Sequence, residues 1–106
     1  MKLHKLEDMV KGWFVGDFSP SAFSSKEFEV AIKHYRAGDT ESSHVHRIAT
    51  ELTVIVEGRV RMLGQEFQRG DIITVEPSEA TSFEALTDTI TVVVKTPSVV
   101  GDKYPA

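Results

Sequence analysis

The sequence predicts an all-β fold, a small jelly roll or β-barrel of two antiparallel sheets. Two observations carry this expectation. The chain has 13 Val, 6 Ile and 9 Thr among 106 residues, set in short runs separated by Gly, Pro and Asp, the composition and punctuation of strands and turns. No stretch of ten residues or more shows a sustained i, i+3, i+4, i+7 apolar stripe. Only Leu3, Leu6 and Val10 sketch a short helical turn, and Gly12 soon interrupts it. Eight or so short strands at close spacing suit a sandwich, jelly roll or barrel.

The elements follow in order. A first strand is expected over 13–18, closed by Ser19-Pro20, and the polar stretch 19–25 reads as a loop. A strong strand over 28–36 ends at Ala37-Gly38-Asp39, and a short one covers 43–46. Strands at 51–57 and 59–63 flank Gly58, and Gly64-Gln65 is placed as a tight hairpin turn into Glu66 and Phe67. Strands over 71–75, 81–85 and 89–96 complete the set, with Pro97 stopping the last because proline has no N–H to donate. Residues 1–106 read as one domain. The N-terminal segment 1–12 and the tail 97–106 have no clear period and are expected to pack on the domain or on a dimer partner.

Composition narrows the function classes. Sixteen acidic residues against twelve basic ones give a net charge of −4, and no basic cluster is visible along the chain, so nucleic acid is not an expected partner. No apolar run reaches the ~20 residues of a membrane span. The first residues lack the apolar stretch of a signal peptide, and a cytoplasmic location is expected. The absence of cysteine removes disulfides, thiolate metal sites and a cysteine nucleophile.

The chemistry-bearing segment runs from Gly38 to Gly58. Alternation along a strand puts His44 and His46 on one face, and paired neutral imidazoles suit Zn, Cu, Fe or Ni. Glu51, at the start of the next strand, is positioned to close a third corner. His-x-His alone is a weak signal; the flanking glycines and the glutamate sharpen it.

Gly38, His44, His46, Glu51 and Gly58 together resemble the first motif of the cupin superfamily: glycine, five residues, His-x-His, three or four residues, a glutamate, six residues and a glycine. Gly70-Asp71, running through Pro77 to Thr81 and Phe83, is similar to the second. The resemblance covers roughly residues 29–95 and implies a small single-domain cupin. Thr81 stands where the second motif supplies its histidine, so the implied ligand set of three histidines and a glutamate shrinks to His44, His46 and Glu51. That is a 2-His-1-carboxylate set with open positions, the arrangement of non-haem Fe(II) oxygenases, and the implied cofactor is a divalent ion: Fe, Mn, Ni or Zn. The other outcome is a pocket without metal that uses histidine acid–base chemistry or only binds.

Further candidates surround this group. If Val30 and Ile32 face the interior, so does His34, which then stands near the motif histidines; its other reading is a structural or interface histidine. Thr81 and Phe83 are expected to line the pocket, whereas Tyr35 and Arg36 read as surface residues. Trp13, Phe14 and Phe18 are expected across a subunit interface or over the barrel mouth. The segments 52–56 and 90–94 are apolar on both faces, which predicts a homodimer covering one face.

Three functions follow: a metal-dependent cupin acting on a small organic ligand, a metal-free sugar-nucleotide isomerase or epimerase, and a non-catalytic ligand-binding module. The second needs cationic contacts to a diphosphate, for which Arg36, Arg47, Arg59 and Arg61 are the central candidates.

Overall fold

A computed structural model describes residues 1–106. Eleven strands follow one 3-10 turn at Leu6–Asp8: β1 (Trp13–Gly16), β2 (Phe23–Ser24), β3 (Glu29–Tyr35), β4 (Thr40–Val45), β5 (Thr50–Glu57), β6 (Arg59–Met62), β7 (Gln65–Gln68), β8 (Ile72–Val75), β9 (Ala80–Ala85), β10 (Thr89–Thr96) and β11 (Tyr104–Pro105). They form two sheets, one ordered β2-β1-β3-β10-β5-β8 and the other β11-β4-β9-β6-β7. All pairings are antiparallel except that of β1 with the two-residue β2. The stretch 19–25, expected as a plain loop, thus contributes an edge strand: Ala22 and Ser25 donate to the carbonyls of Phe14 and Gly16.

Two turns place the sheets. Gly58 alone separates β5 from β6, so the chain leaves one sheet and enters the other within a residue. It lies at φ +97°, and a Cβ there would come within 2.5 Å of the Asp88 carbonyl oxygen, so only glycine fits. The β6–β7 hairpin turns on Leu63-Gly64, one residue earlier than expected. Met62 pairs with Gln65, and both turn residues have positive φ, which matches the twist of a two-residue hairpin.

The inner face of β3 carries Glu29, Ala31, Lys33 and Tyr35 rather than Val30, Ile32 and His34, and His34 is exposed on the outer face. The arrangement that would carry His34 into the barrel, with the Val/Ile side facing inward, is therefore corrected. Strand pairing is the cause: Ala31 is opposite Val93 and Lys33 opposite Thr91, and Val93 and Thr91 are both buried. The register puts aliphatic residues outside, in rows such as Val30–Val94–Leu52 and Ile32–Val92–Val54. Inside, β5 runs from Glu51 through Thr53 to Ile55, and β9 from Thr81 through Phe83 to Ala85. One end of the barrel thus closes on an apolar cluster of Ile55, Val60, Met62, Phe83 and Ala85, and the other is polar. The tail lies on this chain's own barrel: Tyr104 and Pro105 pair with Val45 and His44, and Ala106 donates to the Ser43 carbonyl.

Candidate metal centre

Strand β4 carries His44, with His46 just past its end at Val45, and a bulge sets their phase. Glu41 is opposite Phe83 and His44 opposite Thr81, so three residue steps on β4 span two on β9. Such an insertion re-aims the side chains beyond it. Without it Glu41 and His44 would point to opposite faces; with it Glu41, His44 and His46 all line one cavity of about 200 Å³. Alternation alone excludes Glu41 from the histidine face, which is why the sequence reading passed over it.

His44, His46 and Glu51 converge there, with one potential ligand atom from each lying within 4.8 Å of the others. All three are buried. The two imidazoles stand edge to face, 5.1 Å between centroids. His44 Nδ1 lies 3.0 Å from the Ser42 carbonyl oxygen, and His46 Nδ1 is bonded to the Asp102 carbonyl oxygen. A carbonyl only accepts, so each Nδ1 carries the hydrogen and donates it. The Nε2 lone pairs are then directed inward, the second-sphere arrangement typical of metal-binding histidines. His46 Nε2 sits 3.0 Å from Glu51 Oε2. Two acceptors facing each other at that distance require a cation between them, either a proton on His46 or a metal ion. The donor set fits a divalent metal.

The electrostatics agree. His46 is raised above its usual pKa, first by its bond to Glu51 and then by the Asp102 carbonyl, against the opposing effect of burial. Burial pushes the Glu51 carboxyl up, but the His46 bond and the charges of His46, Lys95 and His44 outweigh it, leaving a net lowering. Thr53 Oγ1 adds a long contact, 3.5 Å, to Glu51 Oε1.

Asp102, in the tail, organises the segment between His46 and Glu51. Its carboxylate accepts from the backbone amides of Arg47 (2.9 Å), Ile48 (3.1 Å) and Ala49 (2.9 Å), while its own carbonyl holds His46. Burial raises its pKa, yet these three amide bonds bring it below the usual carboxylate value. An acidic residue more than fifty positions downstream leaves no local signal, so sequence reasoning missed it.

The remaining candidates separate. Thr81 is buried in the cavity wall directly opposite His44, its hydroxyl donating to the Ser82 carbonyl, and Phe83 lines the same cavity. His34 lines a wider groove of about 980 Å³ instead, which shares Lys11, Lys33, Tyr35 and Glu41 with the cavity. Tyr35, expected at the surface, packs its ring 4.5 Å from Phe83 and donates to Glu41 Oε1 at 3.2 Å. Burial and then the Glu41 charge push its pKa far up, so this phenol is a hydrogen-bond donor rather than a base. Trp13 lies at the cavity wall beneath the ammonium groups of Lys33 (5.1 Å) and Lys95 (4.8 Å). None of Arg36, Arg47, Arg59 and Arg61 lines the cavity. Arg61 pairs with Glu66 and Glu84 at the surface, and Arg47 stacks on Tyr104.

Solved structures share this architecture. An uncharacterized conserved protein with a double-stranded β-helix domain from Klebsiella pneumoniae superposes with TM-score 0.68 at 20% identity, over 73% of this chain and 69% of that one. An RmlC-like cupin from Shewanella frigidimarina gives 0.64 at 22%, over 71% and 70%. The fold is that of the cupins. Across 89% of this chain and 49% of the other, the cupin barrel also matches the DMSP lyase DddQ from Ruegeria pomeroyi, with TM-score 0.73 and 15% identity. No protein-family profile matches the chain, and no curated protein does. No helix is long and apolar enough to cross a membrane.

Proposed function

We propose that this cupin binds a divalent metal ion, Fe, Mn, Ni or Zn, through His44, His46 and Glu51, and acts as a metal-dependent enzyme on a small organic substrate. One observation carries the reading: both Nδ1 atoms are committed to carbonyl oxygens, leaving each Nε2 free to ligate, and one potential ligand atom from each of His44, His46 and Glu51 lies within 4.8 Å of the others. When bound, the ion supplies Lewis acidity or a site for oxygen chemistry at its open positions. His44, His46 and Glu51 would hold the ion, and Thr81, a weak ligand standing opposite His44, would leave it room for a substrate or water. Glu51 supplies the negative charge, and Asp102 fixes the tautomer and tilt of His46. Tyr35 donates a hydrogen bond to Glu41 Oε1, which holds that carboxylate at the cavity wall. Solved structures of this fold include enzymes named as a lyase, a polyketide cyclase and a sugar phosphate isomerase, which supports catalysis as the class of function. With no arginine in the cavity, a sugar diphosphate lacks its bidentate partners, which disfavours the isomerase or epimerase reading.

The test is elemental analysis of untagged protein beside a His44→Ala/His46→Ala variant, with thermal stability followed on adding Fe, Mn, Ni or Zn. Metal in the parent alone, with stabilisation by at least one ion, is the expected result. Background metal in both, and no ion that stabilises, would overturn the reading.

A second copy of the chain is the partner we propose for the aliphatic outer rows of β3, β10 and β5. Sedimentation analysis of a Val92→Lys variant tests it; a monomeric parent would refute it.

A further inference from the structure

The cavity is cationic in a protein that is not. The chain carries −4 overall, yet Lys11, Lys33, Lys95 and Lys103 line this one cavity against two carboxylates, Glu41 and Glu51. Lys95 has a partner, Glu29 Oε1 at 3.8 Å. Lys33 has no carboxylate within ion-pair distance, although its side chain is only partly exposed. The nearby carboxylate, Glu41, already accepts from Tyr35. The Trp13 ring offsets some of the repulsion between Lys33 and Lys95 by lying under both ammonium groups. Burial, and then the charges of Lys103, Lys95 and Lys11, still lower the Lys33 pKa, with Glu41 opposing. An ammonium held in this way gains most from an anion.

A second, independent feature points to the same place. Thr91 is fully buried, lines the cavity and stands directly across the ladder from Lys33. Its hydroxyl has no hydrogen-bond partner in the protein. Buried hydroxyls are almost always paired, and an anionic oxygen near Lys33 would accept from it.

We propose that Lys33 and Thr91 form an oxyanion subsite that holds a carboxylate or phosphate group of the substrate, while the rest of the molecule reaches the His44–His46–Glu51 group. The substrate is therefore small and anionic. About 200 Å³ lies below the ~300–1,000 Å³ typical of drug-sized pockets. The subsite deepens the proposed function and rests on it only for the far end of the ligand.

The test is calorimetric titration at fixed ionic strength with succinate, its neutral isostere succinamide, and inorganic phosphate, using metal-free and metal-loaded protein. Succinate or phosphate is expected to bind both forms, with succinamide weaker by about tenfold or more, the loss of a charge-assisted bond. The tighter of the two anions identifies the group as carboxylate or phosphate. Lys33→Gln is expected to weaken the anion by a similar factor, Lys33→Arg to retain it, and Thr91→Val to weaken it severalfold without lowering the thermal stability of the ligand-free protein. The proposal is overturned if neither anion binds, if succinamide binds as well as succinate, or if Lys33→Gln binds like the parent. Succinate that binds through Lys33 to a protein that takes up no metal would sink the metal reading and leave this one standing. Succinate that needs the metal and ignores Lys33→Gln would do the reverse.

Discussion

The two ends of the barrel are made from the same strands and obey opposite rules. At the closed end Ile55, Val60, Met62, Phe83 and Ala85 fill the space between the sheets with apolar surface, and burial there contributes about 1.5–3 kcal/mol for each large side chain. At the open end, residues buried to the same degree are His44, His46, Glu51 and Thr81. Desolvating such groups costs free energy unless each finds a partner; Ser42, Ser82 and the His46–Glu51 contact supply near ones, and Asp102 supplies one from the distant tail. The closed end holds the fold, and the open end is maintained at some expense to it.

The sharpest way to break that division is at the closed end. Ile55→Ala is expected to cost about 2–5 kcal/mol, read as a lower denaturant midpoint, while the folded fraction still binds metal with unchanged stoichiometry. A parallel loss of metal binding by folded protein would show that the two ends are not separable. At the open end the pattern inverts. His44→Ala/His46→Ala is expected to lower metal affinity by more than about 100-fold, and the metal-free variant to lose only the stability that the His46–Glu51 pair contributes.

Asp102→Ala joins the two effects. Three amides lose their acceptor, so a stability loss of about 1–3 kcal/mol is expected, together with a loss of metal affinity of about 10–100-fold because His46 is no longer held. Asp102→Asn keeps part of both. An Asp102→Ala protein with parental metal affinity would reduce the tail to a structural strap.

Protonation gives a smaller and signed effect. His46 is raised above its usual value by Glu51, so in metal-free protein its contribution is complete below the unfolded value of about 6.5. It is lost as pH rises through the higher folded value. Metal affinity should run the other way, strengthening with pH as the proton leaves Nε2. Asp102, held low, contributes above about pH 4 and is lost as pH falls through its folded value. Melting curves with and without metal from pH 3 to pH 9 check all three. The smallest change is at the surface: Arg61→Ala breaks exposed pairs with Glu66 and Glu84 and is expected to cost under about 1 kcal/mol.

Much of this was legible in the chain. The β-branched runs and the turn residues located most of the strands, because period-2 patterning and glycine conformations are local properties. The His44–His46–Glu51 group was legible for the same reason: spacing on one strand and the next turn brings the three together. Tyr35 was misplaced at the surface, His34 was left open and Lys33 was passed over because β3 is apolar on one face and mixed on the other, and the ordinary rule puts the aliphatic face inside. This barrel reverses the rule on β3, with a polar cavity within and aliphatic rows without. Glu41 escaped because a bulge is invisible to strict alternation, and Asp102 because its partners lie far away in sequence.

By itself, then, the sequence determined an all-β fold and a three-residue group that could hold an ion, since both are written largely in patterns between near neighbours along the chain. Which face of β3 looks inward, which lysines gather round the cavity and which residue holds His46 were decided only by the tertiary structure. Those outcomes depend on the register between β3 and β10 and on the docking of the tail, and a one-residue slip in register turns every side chain of a strand to the other face.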